Sequence, residues 1–450
     1  MIVKNFTVIS GKRNVLLINP PIYDFSDFKL EYSQPTGLLR ISSLLKKKGA
    51  VATLIDCMES FEKQCIHSFC YRDNNLLPKY HFGMSLRILE EKLLNVPEPE
   101  EVYITSFATY WYESTRDTIS LIRKIYPNAI IIVGGIYPTL MPEHANLILG
   151  ADIIVAGKIE DANTQPIDLT HYNLPKYLGI KPSSGCPNNC GYCAQSSINK
   201  GKMVFQNPKK ICDEIEYWHN TKGINQVYIF SENFLLNKRH FIDILTEIVK
   251  RNLKIRIGAP KGMEPRLLDE SLLELMKEAG WKGIRLALET KSEEHRKKLN
   301  RLYNDTYDYE RAIKFATDTG FDTSEIGTFL LYGTPEENID DIIETAEYIH
   351  SFGSYIIPMA FTPVPGSFIF SKYEHILRKR KLIEYMGRLY PFAEYNGYKY
   401  EDYLKLEKYF SELNKINAQH NKFVINLNWL ENYYNGVFAK SEITFAMGFK

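Results

Sequence analysis

The 450-residue sequence predicts an α/β protein, with a doubly wound parallel sheet, a partial barrel of about six βα units and a helical C-terminal extension. Three observations predict it. Short apolar runs alternate with stretches of helical periodicity. The alternation lapses over residues 160–177 and then resumes. After Phe370 the strand signal stops, and Lys and Tyr become frequent. The expected domains are residues 1–165, 166–370 and 371–450.

The first strand is Asn14-Val-Leu-Leu-Ile-Asn, closed by Pro20-Pro21. A helix follows from Gly37, with apolar residues at helical spacing and a stop at Gly49. Val51-Ala-Thr-Leu-Ile-Asp, Val102-Tyr-Ile-Thr-Ser, Ala129-Ile-Ile-Ile-Val-Gly and Asp152-Ile-Ile-Val-Ala supply four further strands. Between the second and third lies a polar insertion, residues 58–97, with a weak helical pattern near its end. The second series starts near Leu178. Its later strands are Gln226-Val-Tyr-Ile-Phe, Lys254-Ile-Arg-Ile-Gly, Gly283-Ile-Arg-Leu-Ala-Leu-Glu, Glu325-Ile-Gly-Thr-Phe-Leu-Leu and Tyr355-Ile-Ile-Pro-Met-Ala. Strand–helix alternation of this kind implies parallel strands joined by crossovers.

Hydrophobic content of 44% and charged content of 24% describe an ordinary globular chain. A formal net charge of +1 gives no general grip on nucleic acid, so no nucleic-acid partner is expected. No apolar run is long enough for a membrane span, and the N-terminus lacks the pattern of a signal peptide. The expected compartment is the cytoplasm. Seven cysteines, an odd number, argue against a disulfide framework and raise the question of metal binding.

Ser184-Gly-Cys-Pro-Asn-Asn-Cys-Gly-Tyr-Cys places Cys186, Cys190 and Cys193 in one short segment. Three thiolates so spaced can wrap one compact iron–sulfur cluster, and the fourth iron keeps an open position. A structural zinc loop is the competing reading. It usually needs a second ligand pair, and no matching CxxC or HxxxH appears. Gly185 and Gly191 let the loop turn tightly.

The CxxxCxxC spacing, with Tyr192 before the last cysteine, resembles the signature of radical S-adenosylmethionine (radical SAM) enzymes. The resemblance implies a [4Fe-4S] cluster whose open iron is chelated by S-adenosylmethionine. Reductive cleavage of the sulfonium then yields a 5′-deoxyadenosyl radical. It also implies a low-potential electron donor such as flavodoxin or ferredoxin. Ser231-Glu232-Asn233 stands where the family contacts the methionine amino group, in place of its usual Gly-Gly-Glu. Glu289 ends a strand as in the family's Gly-x-Glu-Ser, and Arg301 follows twelve residues later, a pair that handles the methionine carboxylate in relatives. A surface ion pair is the alternative for these two. Tyr332-Gly-Thr-Pro-Glu-Glu resembles the family's Gly-x-Pro-Gly-Glu loop, with Glu336 at the second glycine. Thr362-Pro-Val-Pro-Gly-Ser resembles its Thr-Pro-x-Pro-Gly-Thr ending.

The first domain resembles the Rossmann-like cobalamin-binding domain fused to many radical SAM enzymes. The residues that carry the likeness are Asn19-Pro20-Pro21, Pro35-Thr-Gly-Leu, Thr105-Ser106 and Gly134-Gly135-Ile136-Tyr137-Pro-Thr. The resemblance implies cobalamin contacts at Pro20, Thr105, Ser106, Gly134, Gly135, Ile136 and Tyr137. The Asp-x-His-x-x-Gly motif that ligates cobalt in the wider family is absent, and Gly157-Lys-Ile-Glu replaces the usual Gly-Glu-Gly-Glu. A degenerate scaffold without cobalamin is the alternative. Tyr110, Trp111 and Tyr112 would cover a corrin face, wall a substrate pocket or simply pack. Cys57, Cys65 and Cys70, with His67 and His81 nearby, match no compact ligand pattern, and Cys212 reads as packing.

Together these features imply a cobalamin-dependent radical SAM methyltransferase acting on an unactivated carbon of a small molecule, lipid or peptide. A cyclase, rearrangement or decarboxylation enzyme without methyl transfer is the second reading. A non-catalytic cobalamin-binding protein with a structural cluster is the third.

Overall fold

In a computed structural model, all residues are described except 26–32, 60–62, 73–74, 304 and 421–450. The chain divides into two compact units. One comprises Met1–Asn173 with His375–Leu389. The other comprises Leu174–Glu374 and the chain from Tyr390 on.

The first unit is built on a six-stranded, all-parallel sheet. Its spatial order is Ile2–Val3, Ile153–Val155, Ile130–Gly134, Glu101–Thr105, Asn14–Asn19, Val51–Asp56. The five expected strands are all present. Numbered by sequence, they run 2-1-3-4-5, so the winding reverses between Asn14–Asn19 and Glu101–Thr105. In such sheets ligands bind beyond the carboxyl ends of the strands at that reversal. Pro20, Thr105 and Ser106 stand there. The helix Thr36–Lys47 buries Leu38, Leu44 and Leu45 against the sheet residues Val15, Leu17 and Tyr103.

The polar insertion holds strands as well as the helix expected near its end. Lys63–Arg72 and Asn75–Phe82 pair antiparallel, and Ile22–Asp24 joins as a third strand. The helix Leu86–Leu94 then follows, with Ser85 accepting a hydrogen bond from the Ile88 amide as its cap. The expected linker is tied down. Arg40 donates to the carbonyls of Asn163 and Gln165, Ser42 donates to Asp168, and Tyr172 donates to Asp56. Burial opposes the Asp168 charge, yet donors from His171, Lys46, Ser42 and Thr170 hold its carboxyl far below the usual range.

In the second unit six strands form the barrel in sequence order: Leu178–Ile180, Gln226–Ile229, Arg256–Gly258, Ile284–Glu289, Ile326–Tyr332 and Tyr355–Ala360. Every neighbouring pair is parallel. Single bridges, Ile257 to Trp281 and Met263 to Leu286, link the two three-stranded halves. This is the partial barrel the sequence predicts. Its outer face is dry: Thr328, Leu330, Tyr332 and Ile356 have no exposure. On the inner face, Phe329, Leu331 and Ile357 remain half-exposed and Met359 is 46% exposed, so the described side chains do not fill the hollow. A closed βα barrel fills that space.

The last helix, Tyr400–His420, covers the open edge of the barrel. Asn414 accepts from the Ile356 amide at 2.8 Å and donates to the Ile356 carbonyl at 2.9 Å, while Asn417 donates to the Ser354 carbonyl. One amide side chain thus does for the edge what a neighbouring strand would do.

Candidate functional site

The cysteine segment leaves the barrel just after Ser183–Ser184, a two-residue strand paired with Val204–Phe205. Gly185 has φ +93°, and a Cβ there would sit 1.9 Å from the Lys202 carbonyl oxygen. The loop closes on itself at that point, and only glycine fits. Gly191 is equally constrained. Its amide donates to the Leu299 carbonyl at 2.7 Å, and an added Cβ would meet that same oxygen at 2.9 Å. Both motif glycines therefore shape the loop.

Cys186 and Cys190 are buried and Cys193 is half-buried; all three are free thiols. Burial pushes the Cys186 thiol up to about 11 and raises Cys190 and Cys193 as well. Arg301 and Tyr192 pull Cys190 down in part, and Lys261 does so for Cys193. The Arg301 Nη1 lies 3.5 Å from the Cys190 Sγ. Among the described residues no three His, Cys, Asp or Glu side chains converge on one metal ion. A cubane makes a different demand, because each thiolate takes a different iron. Three thiols from one loop, sheltered and flanked by cations that favour thiolate, fit that demand.

Glu232 lies beside this loop. It accepts from Lys181 Nζ at 2.6 Å and from the Gly185 amide at 3.0 Å. Burial raises its carboxyl, but Lys181 and Lys261 outweigh burial and hold it below its usual range. Ser231, fully buried, is spent internally: its hydroxyl donates to the Ser183 carbonyl and accepts from the Ser183 amide.

Glu289 has φ +63° at a register shift in the strand pairing, a strained position for a residue with a side chain. Its carboxylate accepts from Arg301 Nε at 2.9 Å. Arg301, 4% exposed, uses its remaining nitrogens on Cys190 Sγ and the Ala287 carbonyl. The two residues form a buried pair whose free end is a cysteine of the loop. Burial and the nearby Glu289 carboxylate both raise the Tyr192 hydroxyl well above its ordinary value.

Sequence reasoning missed Glu264, 3% exposed. It accepts from the amide groups of Asn188 and Asn233 and from Arg266 Nε, and its Oε1 lies 3.9 Å from Arg301. Asn188 sits inside the cysteine motif and Asn233 beside Glu232, so Glu264 ties the two segments together. Two polar amides next to motif residues were the available signal; Glu264 itself, in Met263-Glu-Pro, carried none. Lys181 and Lys261 were also missed.

In the Tyr332-Gly-Thr-Pro-Glu-Glu loop, Glu336 adopts φ +60°, the conformation the resembling motif reserves for glycine. Its side chain accepts from Tyr373 and Lys372. Glu337 is buried and accepts from the amides of Gly333 and Thr334 at 2.8 Å and from Tyr403 at 2.7 Å. Asn396 donates to the Thr334 carbonyl. The segment after Tyr390 therefore holds this loop.

In the first unit, the ends of the strands meet the expectation in position more than in contact. Gly135 has φ +118°, and a Cβ there would meet the Ser106 carbonyl oxygen at 2.4 Å. Its missing side chain makes room for Ser106, whereas Gly134 is under no such demand. Ser106 is buried and bonded to Thr115. Tyr137 is fully buried, with its hydroxyl 2.6 Å from His144 Nδ1, so it is core, while Ile136 beside it is half-exposed. Pro20 is buried and Thr105 half-exposed. Directly after Ser106, Phe107 is 66% exposed, its ring 6.2 Å from that of Trp111. An exposed aromatic surface at the reversal of winding fits a large flat ligand. Tyr110 and Tyr112 instead pack against Phe25, Ile383, Met386 and Leu389. Cys57 and Cys212 are buried free thiols; the side chains of Cys65, His67 and Cys70 lie outside the described residues.

Residues 180–349 match the model of the Radical SAM superfamily. The anaerobic magnesium-protoporphyrin IX monomethyl ester cyclase of Rubrivivax gelatinosus is 22% identical over 341 residues, 63% of this chain and 60% of that protein. Less than two thirds of the relative's length is thus spanned. Among solved structures, the radical S-adenosylmethionine methyltransferase TsrM of Kitasatospora setae, with cobalamin and a [4Fe-4S] cluster bound, aligns with a TM-score of 0.60 at 16% identity. The alignment covers 81% of this chain and 75% of that one. The cobalamin-dependent S-adenosylmethionine radical enzyme OxsB aligns with a TM-score of 0.53 at 14% identity, covering 83% and 56%. The likeness extends well beyond the barrel, so the two-unit fold is shared with both. The three-cysteine loop lies within residues 180–349, the segment that matches the radical SAM superfamily.

Proposed function

We propose that the protein is a cobalamin-dependent radical SAM methyltransferase acting on an unactivated carbon. The observation that carries this reading is the presence of two kinds of site in one chain. One is a sheltered three-thiol loop beside a partial barrel with an unfilled interior. The other is a flavodoxin-like sheet with exposed aromatic surface at its switch point. When bound, the reduced cluster would supply the electron that breaks the sulfonium of S-adenosylmethionine, and cobalamin would carry the methyl group.

The chain's own residues have definable tasks. Cys186, Cys190 and Cys193 would hold three irons. Arg301 would donate to the Cys190 sulfur while Glu289 keeps the guanidinium in place. Glu232 would accept from the methionine ammonium, because it stays ionised beside the loop. Pro20, Thr105, Ser106, Gly134, Gly135, Ile136 and Tyr137 would shape the cobalamin side, most of them through backbone placement. The substrate is a small molecule, lipid or peptide, and the electron donor is a low-potential protein such as flavodoxin or ferredoxin. No helix among the described residues is long and apolar enough to cross a membrane. A cytoplasmic enzyme accords with free buried thiols.

A cyclase without methyl transfer is the second reading, favoured by the likeness to the magnesium-protoporphyrin cyclase. Anaerobic reconstitution tests both. Iron–sulfur and corrin absorption with S-adenosylhomocysteine and methylated product supports methyl transfer; 5′-deoxyadenosine without methylated product supports the second. Cys193→Ala should lower iron content and abolish both products. Wild-type protein that retains no iron–sulfur absorption would sink the two readings together.

A further inference from the structure

The segment that leads into the cysteine loop is paired with a short ribbon whose charges the fold does not use. Ser183 and Ser184 pair antiparallel with Phe205 and Val204. The Lys202 carbonyl oxygen closes on Gly185 so tightly that an added Cβ would lie 1.9 Å from it. On the other side, the Gln206 carbonyl meets His240 Nε2 at 2.7 Å, and the Phe205 ring lies 5.1 Å from that of His240. The ribbon is thus fixed both to the residue before Cys186 and to the barrel helix Lys238–Lys250.

Between Cys193 and Cys212 the chain carries four lysines, Lys200, Lys202, Lys209 and Lys210, and no Asp or Glu. All four are exposed, and among the described residues none of their ammonium groups has an ion-pair or hydrogen-bond partner. Other helices of this unit treat exposed cations differently: Arg239 pairs with Asp243, Lys297 with Glu293 and Lys298 with Glu294. Three of the four stand where folding disfavours them. Lys209 and Lys210 occupy the first turn of the helix Pro208–Lys222, which holds no acid there, and a positive charge in that turn opposes the helix dipole. Lys200 takes φ +50°, a conformation costly for a residue with a side chain. Val204, 61% exposed, and Phe205, 36% exposed, lie between the two lysine pairs in sequence. Cations that cost the fold something and gain no partner within it are available to a partner outside it.

We propose that this ribbon, with the first turn of the helix after it, is the docking surface for an acidic one-electron carrier protein. This rests on the reading of the cysteine loop as a cluster site and adds where its electron donor binds. Charge complementarity selects an acidic partner, and Val204 and Phe205 give the contact a small apolar centre within a charged rim. Encounters between electron-transfer proteins are small and short-lived, so a patch of this extent suffices. Position selects a redox protein over other polyanions. The ribbon is bonded to the residues that run directly into Cys186, so a carrier seated on it stands beside the cluster loop. In the step itself one electron leaves the carrier and reduces the cluster; no bond forms at the interface and no proton moves.

Two measurements test this, with reduced flavodoxin as the probe. In stopped flow, cluster bleaching in the reconstituted holoprotein should follow a second-order rate that falls steeply with added salt. That rate should drop about tenfold or more in Lys200→Gln/Lys202→Gln and in Lys209→Gln/Lys210→Gln, since charges at a contact act mainly on association. Reduction by photoreduced deazaflavin, which needs no docking, should be unchanged, and iron content and melting temperature check that the variants are folded. Lysine acetylation of the wild type, read by mass spectrometry, should show Lys200, Lys202, Lys209 and Lys210 protected by flavodoxin. Unchanged flavodoxin rates in both variants, or protection confined to other segments, overturns the proposal. Protection by a single-stranded RNA but none by flavodoxin gives the surface to nucleic acid and also overturns it. A wild type that loads no cluster counts against the functional reading, while the acetylation experiment, which needs no iron, still judges the docking surface.

Discussion

Individual residues in the second unit show how polar groups are held in an interior that remains partly wet. Arg301 and Glu289 neutralise each other under cover, and Glu264 gathers three donors from three segments. Glu337 is the sharpest case. Burial pushes its carboxyl up to about 7, against donors from Tyr403, Thr334 and Gly333 that pull it down. A raised carboxyl favours the protonated form in the fold. The stability it contributes is complete below the ordinary carboxylate range and is lost as pH rises through about 7. The melting-temperature advantage of wild type over Glu337→Gln should therefore shrink between pH 5 and pH 8. A gap that widens with pH would mean that these donors keep Glu337 ionised throughout. Glu337 closes a loop motif legible in the sequence, but its burial was not legible there. A buried acid and a surface acid look alike until their surroundings are known, whereas the three cysteines are recognisable from spacing alone.

At the scale of elements, apolar runs of four to seven residues marked the barrel strands because those strands are buried on at least one face. Two kinds of element escaped. Ile2–Val3 is too short to show any periodicity, and its place at the sheet edge comes from pairing with Ile153–Val155. The hairpin Lys63–Arg72/Asn75–Phe82 mixes Lys, His, Asn and Pro into its strands and gains its third partner from Ile22–Asp24, far away in sequence. The helix Tyr400–His420 was expected, but its task was not: Asn414 substitutes for a missing strand. Asn414→Leu should cost about 1–3 kcal/mol for each Ile356 group left unpaired, read as a lower midpoint in urea with little change in slope.

For the whole molecule, chain order and spatial order part company after Glu374. His375–Leu389 belongs to the first unit, although the chain before and after it belongs to the second. Ile383, Met386 and Leu389 bury against Phe25, Tyr110 and Tyr112. Two of the three adjacent aromatics that invited a ligand-binding reading are therefore packed by a segment more than 260 residues downstream. Met386→Ala should destabilise the first unit by about 2–5 kcal/mol through the cavity it leaves. Faster proteolysis within residues 1–173, with iron content unchanged, would be the signature. Equal loss of iron would show that the two units unfold together.

By itself the sequence determined the α/β class, the order of the parallel strands' appearance, the cysteine loop and its iron chemistry, and the resemblance to two cofactor-binding families. These rest on covalent spacing and short-range periodicity, which a chain displays before it folds. Only the tertiary structure decided that Gly135 accommodates Ser106, that Arg301 bonds Glu289, Cys190 and the Ala287 carbonyl, that an asparagine seals the barrel edge and that Glu264 ties Asn188 to Asn233. Each of those depends on which side chain meets which backbone across a long stretch of sequence. Burial and hydrogen-bond satisfaction are properties of that meeting, not of the residues alone.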